Sequence, residues 1–138
     1  AQVSYRDRQV ARYVAAATGQ AVWLQDEALM DAVTAVSGSG PAYFYLLMEH
    51  MERAAVELGL PAELAAALTR ETALGAARVV IETKAEPAAL RAAVTSPGGT
   101  TAAALKVFAA ANLDTIVRTA LAAARDRSAE LGRSGKGT

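Results

Sequence analysis

Ser96-Pro97-Gly98-Gly99-Thr100-Thr101 places two glycines and three hydroxyls directly before the Ala-rich run Ala102-Ala103-Ala104-Leu105-Lys106-Val107. The pattern could hold an anion. Pro97 fixes its own φ, and paired glycines reach backbone conformations closed to other residues, so successive N–H groups can converge on one point. A helix starting there adds unpaired N–H donors and the positive end of its dipole. Ser96, Thr100 and Thr101 contribute hydroxyls that suit a carboxylate or phosphate. The same residues also fit a Gly-Gly turn followed by a threonine N-cap, so both readings stand on spacing alone.

Other chemistry is sparse. Gly38-Ser39-Gly40-Pro41-Ala42-Tyr43 fails the dinucleotide fingerprint at its third glycine and precedes no βαβ unit. His50 is the single histidine, on the apolar side of a predicted helix with no nucleophile motif beside it; a packed or interfacial role is expected. Asp26, Glu27 and Asp31 form a small acidic cluster that could serve a metal or a cationic substrate, for which helix-start carboxylates are the simpler account. No metal site is expected.

The 138 residues suit one domain, able to bury roughly two-thirds of its unfolded surface. Lysine plus arginine and aspartate plus glutamate number 14 each, so net charge provides no drive toward nucleic acid or an acidic membrane. Charges interrupt the apolar runs before the ~20 residues that span a bilayer, and no signal-peptide pattern opens the chain. There is no cysteine, which agrees with a reducing cytoplasm. A soluble cytoplasmic protein is expected.

Alanine abundance and apolar spacing of three and four predict an all-α fold. Helices are predicted over residues 5–18, with Gly19 as the stop, then 41–58, from 61 to about 83, 87–94, one following the glycine loop, and one capped by Asp114 and reaching about Leu131. Ser37 to Pro41 reads as a turn into the longest helix, capped by Ser39 or Gly40, with Pro41 at its first position. That helix's predicted apolar face carries Tyr43, Leu47, His50, Met51, Ala54 and Leu58; Glu49, Arg53 and Glu57 offer ion pairs opposite. Ala21-Val22-Trp23-Leu24 has strand character, yet one strand leaves its edges without partners. Residues 132–138 read as a disordered tail. Small residues such as Ala54, Ala65, Ala66, Gly75 and Ala76 suit close helix packing but bury little apolar area, so a two-fold dimer is expected.

Four segments in order carry a resemblance: 31–43, Gly59-Leu60-Pro61, Thr72 to Ala77, and Val94 to Thr101. Together they resemble the C-terminal half of pyrroline-5-carboxylate reductase, over about residues 20–131. The resemblance implies reduction of 1-pyrroline-5-carboxylate to L-proline by NADPH or NADH, the last step of proline synthesis, in a homodimer or larger homo-oligomer. It implies a helical dimerisation bundle over 29–131, like the C-terminal domain of 6-phosphogluconate dehydrogenase. Residues 1–28 would be the end of a Rossmann domain otherwise missing here, leaving the chain inactive alone. By position, the substrate carboxylate would lie against Ser96, Gly98, Gly99, Thr100 and Thr101, bound by the Ser96 and Thr101 hydroxyls and the Gly99 and Thr100 N–H groups. Thr101 would face the ring nitrogen as the catalytic candidate, Glu27 would lie near the substrate, and Ser37, Gly38, Ser39, Gly40 and Pro41 would form the adjacent loop. Some members carry a cofactor-touching asparagine where this chain has Ala93. The alternatives are a helical interaction module without activity, and a small binding protein for an amino acid or phosphate.

Overall fold

A computed structural model describes residues 3–17 and 19–134. The chain forms two compact units, residues 1–30 and 31–138. Among the described residues every regular element is helical.

In the first unit, α1 spans Tyr5–Ala16. Ser4 caps it reciprocally: its hydroxyl accepts from the Asp7 N–H at 3.2 Å and donates to the Asp7 carboxylate at 2.6 Å, satisfying an orphan donor at the helix start. The helix ends two residues before the predicted Thr18, which lies outside the described residues, and it buries no residue. Ala21 to Leu24 does not form the predicted strand. The reason is the one visible in the sequence: no other strand exists among the described residues to take its hydrogen bonds. Asp26 instead starts a 3-10 turn, Glu27–Leu29, by accepting from the Ala28 N–H at 2.9 Å.

A short helix, α2 (Met30–Val33), runs into a five-residue π-helical turn, Thr34–Gly38, and then into α3 (Gly40–Glu57). The predicted Ser37 to Pro41 loop is therefore helical, with a widened turn marked by Ser39 N–H donating to the Thr34 carbonyl at 2.8 Å. Pro41 supplies the physical reason. Its ring conflicts with the carbonyl four residues back and it lacks an N–H, so a regular α-helix cannot run through it. Ser39 is the residue before α3, but its side chain makes no capping bond. Two side chains pin the widened turn: Ser37 Oγ donates to the Val33 carbonyl at 2.9 Å, and Tyr43 Oη donates to the Ala35 carbonyl at 3.1 Å.

The second unit's main packing is an antiparallel pair of α3 and α4 (Ala62–Thr83). Two bonds close the end of α3, from the Gly59 N–H to the Val56 carbonyl and from the Leu60 N–H to the Ala55 carbonyl, at 2.9 and 3.1 Å. This is the Schellman arrangement, and Pro61 then prevents the helix from continuing. Glu52 on α3 pairs with Arg70 on α4 at 3.0 Å, and the predicted Glu49–Arg53 pair forms at 2.7 Å. Small residues make the contact: Ala65 is fully buried and Thr69 is 6% exposed. The predicted apolar face of α3 stays open, with Leu47, His50, Met51 and Leu58 all exposed.

After α4 come α5 (Pro87–Ala93), α6 (Thr100–Ala110) and α7 (Leu113–Ser134). Asn112, at φ 53°, turns the chain between α6 and α7, a left-handed position that asparagine tolerates. Asp114 therefore lies inside the first turn of α7 rather than capping it. The last helix continues through Gly132, Arg133 and Ser134, three residues that were expected in a disordered tail; residues 135–138 lie outside the described residues. A 2.7 Å hydrogen bond from Ser128 Oγ to the Asp31 carboxylate ties α7 to α2 beside the π turn.

Tyr43→Phe should lower stability by about 1 kcal/mol, the worth of one intramolecular hydrogen bond. Thermal unfolding should show a drop of a few degrees, and Tyr45→Phe, whose exposed hydroxyl has no partner among the described residues, should show none.

Candidate functional site at the start of helix α6

The loop between α5 and α6 is built by its own backbone. Thr95 closes the end of α5, its hydroxyl donating to the Arg91 carbonyl at 2.6 Å and its N–H to the Ala92 carbonyl at 3.1 Å. Ser96 to Gly99 then form a tight turn, with the Gly99 N–H donating to the Ser96 carbonyl at 3.0 Å. Pro97 takes the position where its fixed φ is preorganised, and Gly98 follows at φ 71°, the combination of a type II turn. Gly99 has an ordinary φ of −78°. Its constraint is space: a Cβ there would lie 3.2 Å from the Ser96 carbonyl oxygen.

Gly99 caps α6 through its backbone, accepting from the Ala103 N–H at 3.1 Å. This corrects two expectations. No threonine is the N-cap, since Thr100 and Thr101 are the first two helical residues, and the Gly99 N–H is committed to the turn rather than aimed outward. The N–H groups of Thr100, Thr101 and Ala102 are the donors without a partner among the described residues, as the first turn of a helix dictates. Ala102 is the contributor that sequence reasoning missed. Its role follows from the register, because a cap at Gly99 makes Ala102 the third helical residue.

The hydroxyls of Ser96, Thr100 and Thr101 also lack partners among the described residues. Ser96 and Thr100 are exposed and Thr101 half-buried. Three N–H groups and three hydroxyls thus gather at the positive end of α6, with no lysine or arginine needed to supply charge. An oxyanion fits this donor set.

The remaining candidates lie elsewhere. Ser37 and Gly38 end the π turn, which packs against α7, Ser39 joins it to α3, and Gly40 and Pro41 begin α3. Glu27 is an exposed residue of the first unit, at the start of its 3-10 turn. Asp26 and Asp31 are each engaged in a structural hydrogen bond. Ala93 ends α5, just before the loop.

The family described as pyrroline-5-carboxylate reductase dimerisation matches residues 27–131, which cover the π turn, α3 to α6 and most of α7. The chain belongs to this family. It is 55% identical to the pyrroline-5-carboxylate reductase of Pseudomonas aeruginosa over 131 residues, 95% of this chain and 48% of that protein. With the reductase of Arabidopsis thaliana it shares 45% identity over 79% of this chain and 40% of the relative. The solved reductase of Coxiella burnetii superposes with a TM-score of 0.88 at 43% identity, covering 94% of this chain and 48% of that one. The Plasmodium falciparum pyrroline carboxylate reductase, solved with NADP bound, gives 0.89 at 31% identity over 95% and 50%. The chain spans about half the length of these proteins.

Gly98→Ala should destabilise the chain by about 1–2 kcal/mol through its positive φ, and Pro97→Ala by about 0.4–1 kcal/mol through a freer unfolded chain. Urea unfolding followed by circular dichroism measures both.

Proposed function

We propose that this chain is the dimerising and substrate-binding part of a pyrroline-5-carboxylate reductase, the enzyme that reduces 1-pyrroline-5-carboxylate to L-proline with NADPH or NADH in the cytoplasm. The observation that carries the reading is the unpaired donor set at the start of α6, in a chain whose relatives take a small cyclic carboxylate by name. The substrate carboxylate is held by the Thr100, Thr101 and Ala102 N–H groups and the Ser96 and Thr101 hydroxyls. Charge-assisted bonds of this kind are the strong ones. They fix the ring so that its C=N carbon faces one direction, and orientation is the protein's main contribution to such a reduction. In this reading Thr101 also touches the ring nitrogen.

The described residues contain no strand and no glycine-rich turn joining a strand to a helix, so by themselves they do not fit a dinucleotide. We assign the hydride donor to a counterpart of the half of the NADP-bound Plasmodium falciparum protein that this chain does not span. The Ser37 to Pro41 segment is assigned to the surroundings of the substrate because it resembles the loop beside the site in the family. The active unit is a homodimer, because the apolar faces of α3 and α6 have too few partners in one chain.

The purified 138 residues should not oxidise NADPH with 1-pyrroline-5-carboxylate. Joined behind the N-terminal half of the Pseudomonas aeruginosa relative, they should do so, and Ser96→Ala or Thr101→Ala should each lower kcat/KM about ten- to a hundredfold while leaving the circular dichroism unchanged. Full efficiency in both variants would reduce the loop to a helix start. Turnover by the chain alone would overturn the division of labour.

A further inference from the structure

The segment from α5 to α6 is restrained at almost every residue. Pro97 holds its own φ through its ring and disfavours the helical region for Ser96 before it. Gly98 takes φ 71° and Gly99 φ −78°, and the Gly99 N–H is bound to the Ser96 carbonyl at 3.0 Å. Thr95 is left as the joint between this turn and α5, and there a side chain sets the conformation. Its hydroxyl donates to the Arg91 carbonyl at 2.6 Å and its N–H to the Ala92 carbonyl at 3.1 Å, so both groups close onto the last turn of a seven-residue helix. Thr95 is half-buried, and it leads directly into Ser96.

A free joint at Thr95 would let the whole turn swing on the end of α5. Donors that must be gathered on binding hold an anion less well than donors already in place. We propose that Thr95 is a positioning residue for the substrate carboxylate: its bond to Arg91 sets the direction in which the turn leaves α5, and so places the Ser96 hydroxyl against the N–H groups of Thr100, Thr101 and Ala102. The inference rests on the reductase reading and adds to it a residue that acts through the donors without being one of them. The chain carries its own comparison. Thr83, at the end of α4, donates to the Val79 carbonyl at 2.6 Å and accepts from the Ala85 N–H at 3.2 Å, the same bond at a helix end that leads into α5 and not into the donor set.

The chain joined behind the N-terminal half of the Pseudomonas aeruginosa relative provides the assay. Thr95→Val should raise KM for 1-pyrroline-5-carboxylate about three- to tenfold while kcat changes less than about twofold, because the weakened hold is on a carboxylate across the ring nitrogen from the carbon that takes the hydride. Thr95→Ala should match it, which covers the case of a valine that disturbs the fold, and Thr95→Ser should restore KM. Thr83→Val should leave KM unchanged. In a Ser96→Ala background, Thr95→Val should raise KM by a smaller factor, since the two residues then share one effect. Equal KM increases in Thr95→Val and Thr83→Val, no rescue by serine, or equal factors in both backgrounds overturn the positioning role. Unchanged KM in both Thr95→Val and Thr95→Ala, while Ser96→Ala and Thr101→Ala lose efficiency, overturns it and leaves the donor set standing. Full efficiency in Ser96→Ala and Thr101→Ala overturns the donor set and this inference together.

Discussion

Among the described residues a single copy of this chain hides almost nothing large. In the second unit the buried residues are Ala35, Gly40, Ala65 and Thr69, and no large side chain is fully buried among the described residues. Fully burying a leucine or phenylalanine contributes about 1.5–3 kcal/mol, whereas an alanine gives only a fraction of that. The backbone of so many ordered helical residues still loses roughly 1–2 kcal/mol of conformational entropy per residue. Small-residue contacts between α3 and α4 set their approach but do not offset that loss. The missing stabilisation has an evident source in the exposed apolar side chains of α3, α6 and α7, including Phe44, Tyr45, Val107 and Ile116. Association with a second copy is thus part of folding in this account, rather than an addition to a finished fold.

The same constraint shapes the site. α6 carries the unpaired donors at its first turn and an almost uncharged body behind them, so whatever buries the body also fixes where the donors point. Preorganisation matters because an anion is held well only by donors that need not be gathered on binding. The Pro97–Gly98 turn sets the donors locally, and the packing of α6 sets them globally. At the other junction, the Tyr43 bond to Ala35 in the π turn and the Ser128–Asp31 bond beside it fix the start of α3, whose far half packs against α4. In the proposed reading, dimer geometry and substrate geometry are therefore two consequences of one arrangement of helices.

Much of this was legible in the sequence, for identifiable reasons. Pro61, Pro87, Asn112 and the Gly98–Gly99 pair mark boundaries because each imposes a backbone conformation that regular helix cannot continue through. The start of a helix just after the Gly98–Gly99 pair was readable because Pro97 and the glycines close the turn before it. What the residues concealed was register itself by one or two positions. Gly99, not a threonine, caps α6, and Gly98 takes the positive φ. The π turn was hidden because Ser37 to Pro41 has loop composition, while the Tyr43 hydroxyl that helps hold it reaches back eight positions. The strand expected at Ala21 to Leu24 failed for want of a partner, a condition no local pattern can supply.

Stability shared between copies is read out by thermal unfolding over about a hundredfold range of protein concentration. The midpoint should rise steadily with concentration, and the helical signal should be lost on dilution at fixed temperature. A midpoint independent of concentration, from a chain that remains a folded monomer throughout, would contradict it.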